Sequence, residues 1–259
     1  MRIPLEDSYL DIVGKAQRGL GQTKVSLPQR ADDETALRSV AATLRLDPDA
    51  LVASARNAWY PRDAGPIAGL ACFNTPFSDM TVNSYLVFDT QTKQAAAFDT
   101  GTDCDGMLKL ATQRGLTIGL ILLTHSHGDH VFDLDRLKAM TKARAFSCEF
   151  EPVAGTETFA PGRQFAIGAV KVETRLTKGH SRGGVTYVVS GLSRRLAIVG
   201  DAIFAGSMGG GMFSYEDALR TNVDQILTLP DDTVICPGHG PLTTVGEEKQ
   251  HNPFFASRI

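Results

Sequence analysis

The sequence has few cysteines, and its apolar runs are all short. No apolar stretch approaches the roughly 20 residues that a membrane-spanning helix requires. The opening MRIPLEDSYLDIV is acidic where a signal peptide would be basic and then apolar. The four cysteines, Cys72, Cys104, Cys148 and Cys236, form no C-x-x-C pair, so we expect reduced, mostly buried thiols rather than a disulfide framework or a zinc knuckle. The expected location is the cytoplasm, with no membrane partner.

The chain also has no long basic segment. Its formal net charge is −3, and the longest basic run is Arg194-Arg195. Nucleic acid is therefore not an expected partner, because a nucleic-acid-binding surface needs a concentrated positive charge. With 42% apolar and 21% charged residues among 259, the composition is that of a soluble globular protein. The length fits one large domain, or a core domain with a small appendage.

Residues 1–62 differ in character from the rest of the chain. Apolar residues from Leu37 to Ala55 recur at helical spacing, interrupted by the turn signal Asp47-Pro48-Asp49. The stretch LRSVAATLRLDPDALV resembles the last helices of small helix-turn-helix modules, but it has no clear recognition helix. We therefore expect a small helical appendage, degenerate in its helix-turn-helix character, that is structural or forms a homodimer rather than binding DNA.

A stretch containing proline and glycine, PRDAGPIAG, follows Tyr60 and is typical of a linker. Residues 66–259 then predict strands interleaved with helices. Buried strands are predicted at 82–88, 95–98, 118–123, 165–167, 170–176, 185–190, 195–200 and 233–236, and helices at 104–114, 131–140 and 215–229. Because strands and helices do not alternate strictly, this pattern favours a layered α/β sandwich, with two β-rich halves that join near residue 160.

The chain is organised around the segment ILLTHSHGDH, residues 121–130. In extended backbone, residues two apart face the same way, so His125 and His127 can converge on one point. Gly128 permits a sharp turn, after which Asp129 and His130 can face a neighbouring point. Imidazole and carboxylate are ligands that zinc and similar divalent metals accept. The spacing therefore predicts a metal site.

Three further residues of ligand type share one local pattern, in which a strand is followed by a glycine-containing turn. They are His180 in TKGHS, Asp201 in IVGDAIF and His239 in PGHG. Ligands placed at strand ends would meet in one pocket along an edge of the sandwich. His251, in EKQHNPF, lacks this context and is not expected to be a ligand.

The ordered set THSHGDH, GH at 179–180, GD at 200–201 and PGHG at 237–240 resembles the metallo-β-lactamase superfamily. The resemblance covers nearly the whole chain after residue 66. It implies a four-layer αββα sandwich that holds two divalent metal ions, with zinc expected and iron or manganese as alternatives. By motif match, the ligands of the first ion are His125, His127 and His180. Those of the second are Asp129, His130 and His239, and Asp201 bridges the two ions.

Within this superfamily, an aspartate at position 201 is typical of the glyoxalase II-like hydrolases, lactonases and related enzymes, whereas true β-lactamases commonly have cysteine there. The ending PGHGPLTTVGEEKQHNPF resembles the short bacterial glyoxalase II-like proteins. Two departures weaken the assignment of a substrate. The segment FAGSMGGGM replaces the usual Gly-Cys-Gly-Arg stretch, and Lys178 stands where many relatives have proline. Lys178 is interpreted either as an attractor of anionic substrate or as a solvated strand-end lysine.

The chemistry of such a site favours hydrolysis of a small thioester or ester. Two cations about 3.5–4 Å apart can hold a hydroxide between them and polarise the acyl carbonyl that it attacks. A thiolate leaving group needs little acid assistance, since a free thiol has a pKa of about 8.5. Asp129 is the expected catalytic residue, orienting the hydroxide or taking its proton, although a role as ligand alone fits equally. Thr124 and Asp99 are candidates for orienting the histidines, and turn capping fits Asp99 nearly as well.

Three alternatives stay open at this point. Persulfide dioxygenases share the motif set, and under that interpretation His125, His180 and Asp201 would hold a single iron. Lactones or other esters are alternative substrates for the hydrolase. A sensor whose N-terminal helices bind DNA is the non-enzymatic alternative.

Overall fold

The structure is a computed structural model that describes residues 2–27 and 32–258. Six strands between residues 70 and 159 form one sheet, here called sheet A, in the order of the chain. These strands are β1 (Leu70–Phe77), β2 (Met80–Phe88), β3 (Gln94–Phe98), β4 (Thr117–Leu122), β5 (Arg144–Cys148) and β6 (Glu157–Phe159). The first three strands are antiparallel, whereas β3 to β6 run parallel.

The second half of the chain forms sheet B, in the order β14-β13-β10-β9-β8-β7. Its strands are β7 (Gln164–Ile167), β8 (Val170–Leu176), β9 (Val185–Ser190), β10 (Leu196–Gly200), β13 (Val234–Pro237) and β14 (Thr243–Thr244). A separate two-stranded ribbon consists of β11 (Ile203–Phe204) and β12 (Ser207–Met208). The change of sheet between Phe159 and Gln164 confirms the predicted join near residue 160.

The two sheets pack face to face because their strands are apolar on both sides. In β4, Leu122 enters the core between the sheets, while its neighbour Ile121 belongs to the core on the outer face of sheet A. This is the alternation that a strand imposes on successive side chains. Aromatic residues fill the central core, where the rings of Phe98 and Tyr187 meet edge to face with centroids 5.2 Å apart.

Helices cover the outer face of each sheet, which confirms the predicted αββα sandwich. The helices are α1 (Tyr9–Gly19), α2 (Glu34–Leu44), α3 (Pro48–Ala55), α4 (Asp105–Arg114), α5 (Gly128–Val131), α6 (Leu134–Thr141), α7 (Tyr215–Thr221), which continues as one π-helical turn over Asn222–Ile226, and α8 (Val245–His251). Apolar residues of α4 and α6 pack on sheet A. Those of α1, α2, α7 and α8 pack on sheet B.

The N-terminal helices belong to the same hydrophobic cluster as the outer face of sheet B. Ile12 of α1 and Val40 of α2 share this cluster with Val199 of β10 and Ile235 of β13. The apolar faces of α1 and α2 are thus used within the chain. The division into residues 1–62 and 66–259 stays a prediction, as does a homodimer through these helices. Within residues 2–27 and 32–258, no helix is both long and apolar enough to cross a membrane.

Candidate metal centre

All the predicted ligands lie at strand ends on one edge of the sandwich. His125 and His127 follow β4 of sheet A, and His127 directly precedes the short helix α5 that carries Asp129 and His130. From sheet B, His180 follows β8, Asp201 follows β10, and His239 follows β13. The two halves of the chain therefore each contribute some of the predicted ligands.

The first cluster consists of His125, His127, His180 and Asp201. The Nδ1 atom of His127 lies 3.0 Å from the Nε2 atom of His125 and 3.0 Å from the Nε2 atom of His180. The Oδ2 atom of Asp201 lies 3.4 Å from Nε2 of His180 and 3.8 Å from Nε2 of His125. Three nitrogens and one carboxylate oxygen thus surround one point.

The second cluster consists of Asp129, His130 and His239. The Oδ2 atom of Asp129 lies 3.2 Å from Nε2 of His239 and 3.5 Å from Nε2 of His130. Asp201 also reaches this cluster, with Oδ1 at 3.2 Å from His130 and Oδ2 at 3.4 Å from His239. Asp201 is therefore shared between the two clusters, in the place that the family resemblance implies for a bridging ligand.

Hydrogen bonds at the other nitrogen fix the orientation of three imidazoles. The Nδ1 atom of His130 lies 2.8 Å from Asp99 Oδ2, that of His239 lies 2.7 Å from the Thr81 carbonyl oxygen, and that of His180 lies 3.0 Å from the Gly210 carbonyl oxygen. Each partner is an acceptor, so Nδ1 carries a proton and Nε2 is the nitrogen that faces the cluster. This tautomer is the one in which Nε2 can bind a metal.

The donor atoms fit a metal ion by their spacing, and two of them lack a hydrogen-bond partner. Around a tetrahedral zinc ion with bonds of about 2.0–2.1 Å, neighbouring ligand atoms lie about 3.3 Å apart, close to the distances above. His130 Nε2 and Asp201 Oδ1 are buried and make no hydrogen bond among the described residues. A Cβ atom on Gly238 would lie 2.1 Å from Asp201 Oδ1, so this glycine is needed for the close approach.

The electrostatics of the site favour a cation beside Asp201. Burial opposes charge on His130 and His239, but nearby carboxylates outweigh it and raise the pKa of His130 to about 10 and that of His239 to about 11. Burial also opposes ionisation of Asp201, yet these two histidines hold its pKa well below the usual range. Burial lowers the pKa of His125 and of His180, which keeps their lone pairs available. Surroundings that stabilise positive charge at this point also stabilise a metal ion there.

Glu151 is a residue that the sequence did not reveal as part of the site. Its Oε1 atom accepts hydrogen bonds from the backbone N–H (2.8 Å) and the hydroxyl of Ser126, which lies between His125 and His127. Its Oε2 atom accepts one from the N–H of Gly183, at 2.7 Å, in the loop that follows His180. Glu151 therefore joins the two loops that carry the first cluster. The surrounding segment, CEFEPVAG, contains no sequence pattern that marks a metal or catalytic site.

Asn83 and Tyr85 of β2 were likewise missed, and they hold the turn that carries His239. The Asn83 side-chain amide donates to the carbonyl oxygens of Pro237 (3.0 Å) and Gly240 (2.8 Å), and the Tyr85 hydroxyl donates to that of Pro237 at 2.6 Å. Both side chains are buried. They are read from the sequence as part of a buried strand, and only the packing of the sheets shows what they contact.

Two other residues weighed from the sequence lie apart from the ligand clusters. Lys178 forms an ion pair with Asp217 at 3.0 Å, which favours a structural role over attraction of substrate. His251 stacks on Trp59, with ring centroids 5.0 Å apart, and belongs to neither cluster.

The sequence model of the Metallo-beta-lactamase superfamily matches residues 78–239. The chain belongs to this superfamily. The match spans both ligand clusters, and it begins after the N-terminal helices.

Bacterial relatives cover about 70% of the chain. A probable metallo-hydrolase of Bacillus subtilis, YqgX, is 30% identical over 206 residues, which is 70% of this chain and 95% of the relative. The hydroxyacylglutathione hydrolase GloC of Haemophilus influenzae is 27% identical over 208 residues, 71% of this chain and 97% of GloC. Among solved structures, ETHE1 from Myxococcus xanthus superposes with a TM-score of 0.64 at 24% identity, covering 73% of this chain and 86% of ETHE1. The ETHE1 likeness supports the fold.

Proposed function

We propose that this metallo-hydrolase cleaves a small thioester of the hydroxyacylglutathione type. The observation that carries the proposal is the convergence of two ligand clusters on the shared carboxylate of Asp201. The similarity to GloC supports the choice of a thioester among the substrates that this superfamily hydrolyses.

We propose two divalent ions, zinc first and iron or manganese as alternatives, held by His125, His127 and His180 on one side and Asp129, His130 and His239 on the other. Asp201 would contribute to both. When bound, such ions lower the pKa of a coordinated water to about 7 and polarise an acyl carbonyl. Hydrogen bonds at Nδ1 hold three of these histidines, His130, His180 and His239, with Nε2 directed towards the site that an ion would occupy.

Asp129 is the side chain that we assign to proton handling. Asp129 is only 8% exposed, and its carboxylate belongs to the second cluster, with Oδ2 at 3.2 Å from His239 Nε2. Burial opposes its ionisation, but His239 and His130 lower its pKa, so it is a carboxylate that can accept or orient a proton at the centre. The leaving thiolate needs no separate acid, because a free thiol has a pKa of about 8.5.

The adjoining cavity has the volume for a substrate of this size. It encloses about 570 Å³ and reaches His180, Asp201 and His239. Small-molecule sites commonly enclose about 300–1,000 Å³. Phe204 and Met80 give the cavity an apolar part, against which an acyl group can pack.

The test is release of free thiol from S-lactoylglutathione by the zinc-loaded protein, with His127→Ala as the matched inactive variant. We expect turnover of about 1–1,000 per second, abolished in the variant. Absence of thiol release from protein that retains its metal would refute the thioester assignment. Oxygen consumption with glutathione persulfide would instead support the single-iron dioxygenase, and faster cleavage of lactones would support the ester alternative.

A further inference from the structure

The N-terminal segment forms part of the wall of the cavity that adjoins the ligand clusters. Glu6, Asp7, Lys15 and Arg18 line this cavity together with three of the predicted ligands, His180, Asp201 and His239. The superfamily match begins at residue 78, so this wall is built from residues outside the matched region.

Side-chain contacts hold the segment against the site. Asp7 accepts hydrogen bonds from the Lys15 ammonium and the Ser207 hydroxyl, and Lys15 also donates to the carbonyl oxygen of Met208 at 2.9 Å. Ser207 and Met208 form β12, next to the loop of Gly209 and Gly210 that orients His180. The wall is therefore connected to the ligand loops by hydrogen bonds between buried and half-buried groups.

The wall has two cationic side chains, Lys15 and Arg18, and only Lys15 forms an ion pair among the described residues. The Lys15 ammonium is engaged by Asp7, and these side chains are only 13% and 8% exposed. Arg18 lies in the last turn of α1, is exposed, and forms no ion pair among residues 2–27 and 32–258. An arginine in this state can donate two parallel hydrogen bonds to a carboxylate.

The remaining acidic groups determine where an anion can sit. Glu6 and Asp7 line the same cavity, so a ligand carboxylate placed beside them would be repelled. A substrate whose acyl carbon reaches the ligand clusters would then direct its anionic end towards Arg18. A wall of this composition would discriminate between substrates by their charge and by their orientation.

We propose that Arg18 is a specificity-determining residue that binds a carboxylate on the thiol portion of the substrate. This inference rests on the proposed thioesterase function for the identity of the substrate, but not for the recognition of the anion. The substrate class is a thioester whose leaving thiol carries at least one carboxylate.

The test measures binding without turnover, by calorimetry on the metal-loaded protein. The probes are S-methylglutathione, which is anionic, and S-methyl-N-acetylcysteamine, which is neutral; neither has a free thiol that would remove metal. We expect the wild type to bind the anionic probe more tightly. Arg18→Gln should lower the affinity for the anionic probe about tenfold, which corresponds to the loss of one charge-assisted hydrogen bond. The affinity for the neutral probe should not change.

The matched control is Arg114→Gln, which removes the basic residue from the last turn of α4, on the outer face of sheet A. This variant should bind both probes as the wild type does. The inference is overturned if the wild type fails to bind or to prefer S-methylglutathione, if Arg18→Gln leaves that preference intact, or if it weakens both probes equally. Thiol release from S-lactoylglutathione is scored separately. A charge preference without thiol release would refute the proposed function and retain the role of Arg18.

Discussion

At the scale of single residues, Asp99 lies outside both ligand clusters but contacts the residues that belong to them. Its carboxylate accepts hydrogen bonds from the backbone N–H and the hydroxyl of Thr124, each at 2.7 Å, and from His130 Nδ1 at 2.8 Å. The Thr124 hydroxyl in turn lies 3.0 Å from His125 Nδ1. Asp99 has a φ of 56°, which is uncommon for a residue with a side chain and is often found at functional sites.

We predict that Asp99→Asn weakens the binding of metal, mainly at the cluster that contains His130. The amide presents one acceptor oxygen where the carboxylate presents two, and its NH₂ group would face another donor. Loss of such an orienting partner typically costs about 10–100-fold in metal affinity. Competition with a chromophoric chelator measures the affinity, and Asp103→Asn, at an exposed carboxylate, is the control. Equal affinities in the wild type and Asp99→Asn would show that Asp99 acts only as a turn residue.

A second residue-scale prediction concerns Glu151, whose carboxylate joins the Ser126 and Gly183 loops. Burial opposes its ionisation, but the hydrogen bonds from Ser126 and Gly183 lower its pKa. We predict that Glu151→Gln weakens the metal site of His125, His127 and His180 about tenfold, since the amide cannot accept from both loops, and leaves the other site unchanged. Metal titration followed by the spectrum of bound cobalt separates the two sites.

The control for this prediction is Glu149→Gln, two residues away at an exposed position. An equal loss at both metal sites would indicate general destabilisation, and would contradict a selective role for Glu151.

The clustering of the predicted ligands could be predicted from the sequence because they lie in short segments, each a strand followed by a turn with glycine. His125, His127 and Asp129 are close in the chain, so their proximity needs only local geometry. Glu151 and Asn83 differ, since each acts on a segment that is distant in sequence. The bonds of Glu151 to Gly183 and of Asn83 to Pro237 form only when sheets A and B pack, and no local pattern reports them.

At the scale of elements, α1 was not predicted although its signals are present. Ser8 and Asp11 form a capping box, with the Asp11 carboxylate accepting from the N–H of Ser8 at 3.0 Å. Ile12, Val13 and Ala16 form its buried face. The strand β1 was also missed, because its residues alternate between half-buried and exposed and include Pro76. The helix predicted over 215–229 is shorter, and it ends in a π-helical turn.

We predict that Ile12→Ala lowers the free energy of unfolding of the whole protein. Ile12 is 1% exposed in the cluster shared with sheet B, and truncation of a buried isoleucine costs about 2–5 kcal/mol. Leu10→Ala, at a side chain that is 48% exposed in the same helix, should stay within about 0.5 kcal/mol of the wild type. Urea unfolding followed by far-UV circular dichroism measures both.

The form of that unfolding curve also tests the predicted domain division. If residues 1–62 are integral to the sandwich, Ile12→Ala shifts a single transition. An appendage that folds independently would instead give a second transition, and Ile12→Ala would move that one alone.

At the scale of the whole molecule, the fold class was predicted from the order of strands and helices together with the motif resemblance. The placement of the N-terminal helices was not. Periodicity indicates which face of a helix is apolar, but it does not indicate the surface against which that face packs. Beside these helices, the ribbon of β11 and β12 and the C-terminal residues meet around a buried acid, Glu248.

Glu248 links three parts of this layer. Its carboxylate accepts hydrogen bonds from the Thr243 hydroxyl at 2.7 Å, the Asn252 side-chain amide at 2.7 Å and the N–H of Gly206 at 3.0 Å. The group is fully buried, and burial raises its pKa from an ordinary value of 4.5 to about 8, in opposition to the hydrogen bonds. Between a pH of about 5 and about 8, Glu248 is therefore protonated in the folded protein and ionised in the unfolded chain.

We predict that this group makes the protein less stable as the pH rises between about 5 and 8. Because the folded-state pKa is the higher of the two, the stabilisation is complete below the unfolded value of 4.5 and is lost as the pH rises through about 8. The measurement is the free energy of unfolding in urea at several pH values. Glu248→Gln should flatten the decline, whereas Glu216→Gln, at an exposed glutamate, should leave it unchanged. A decline of the same slope in Glu248→Gln would assign the pH dependence to other groups, the ligand histidines among them.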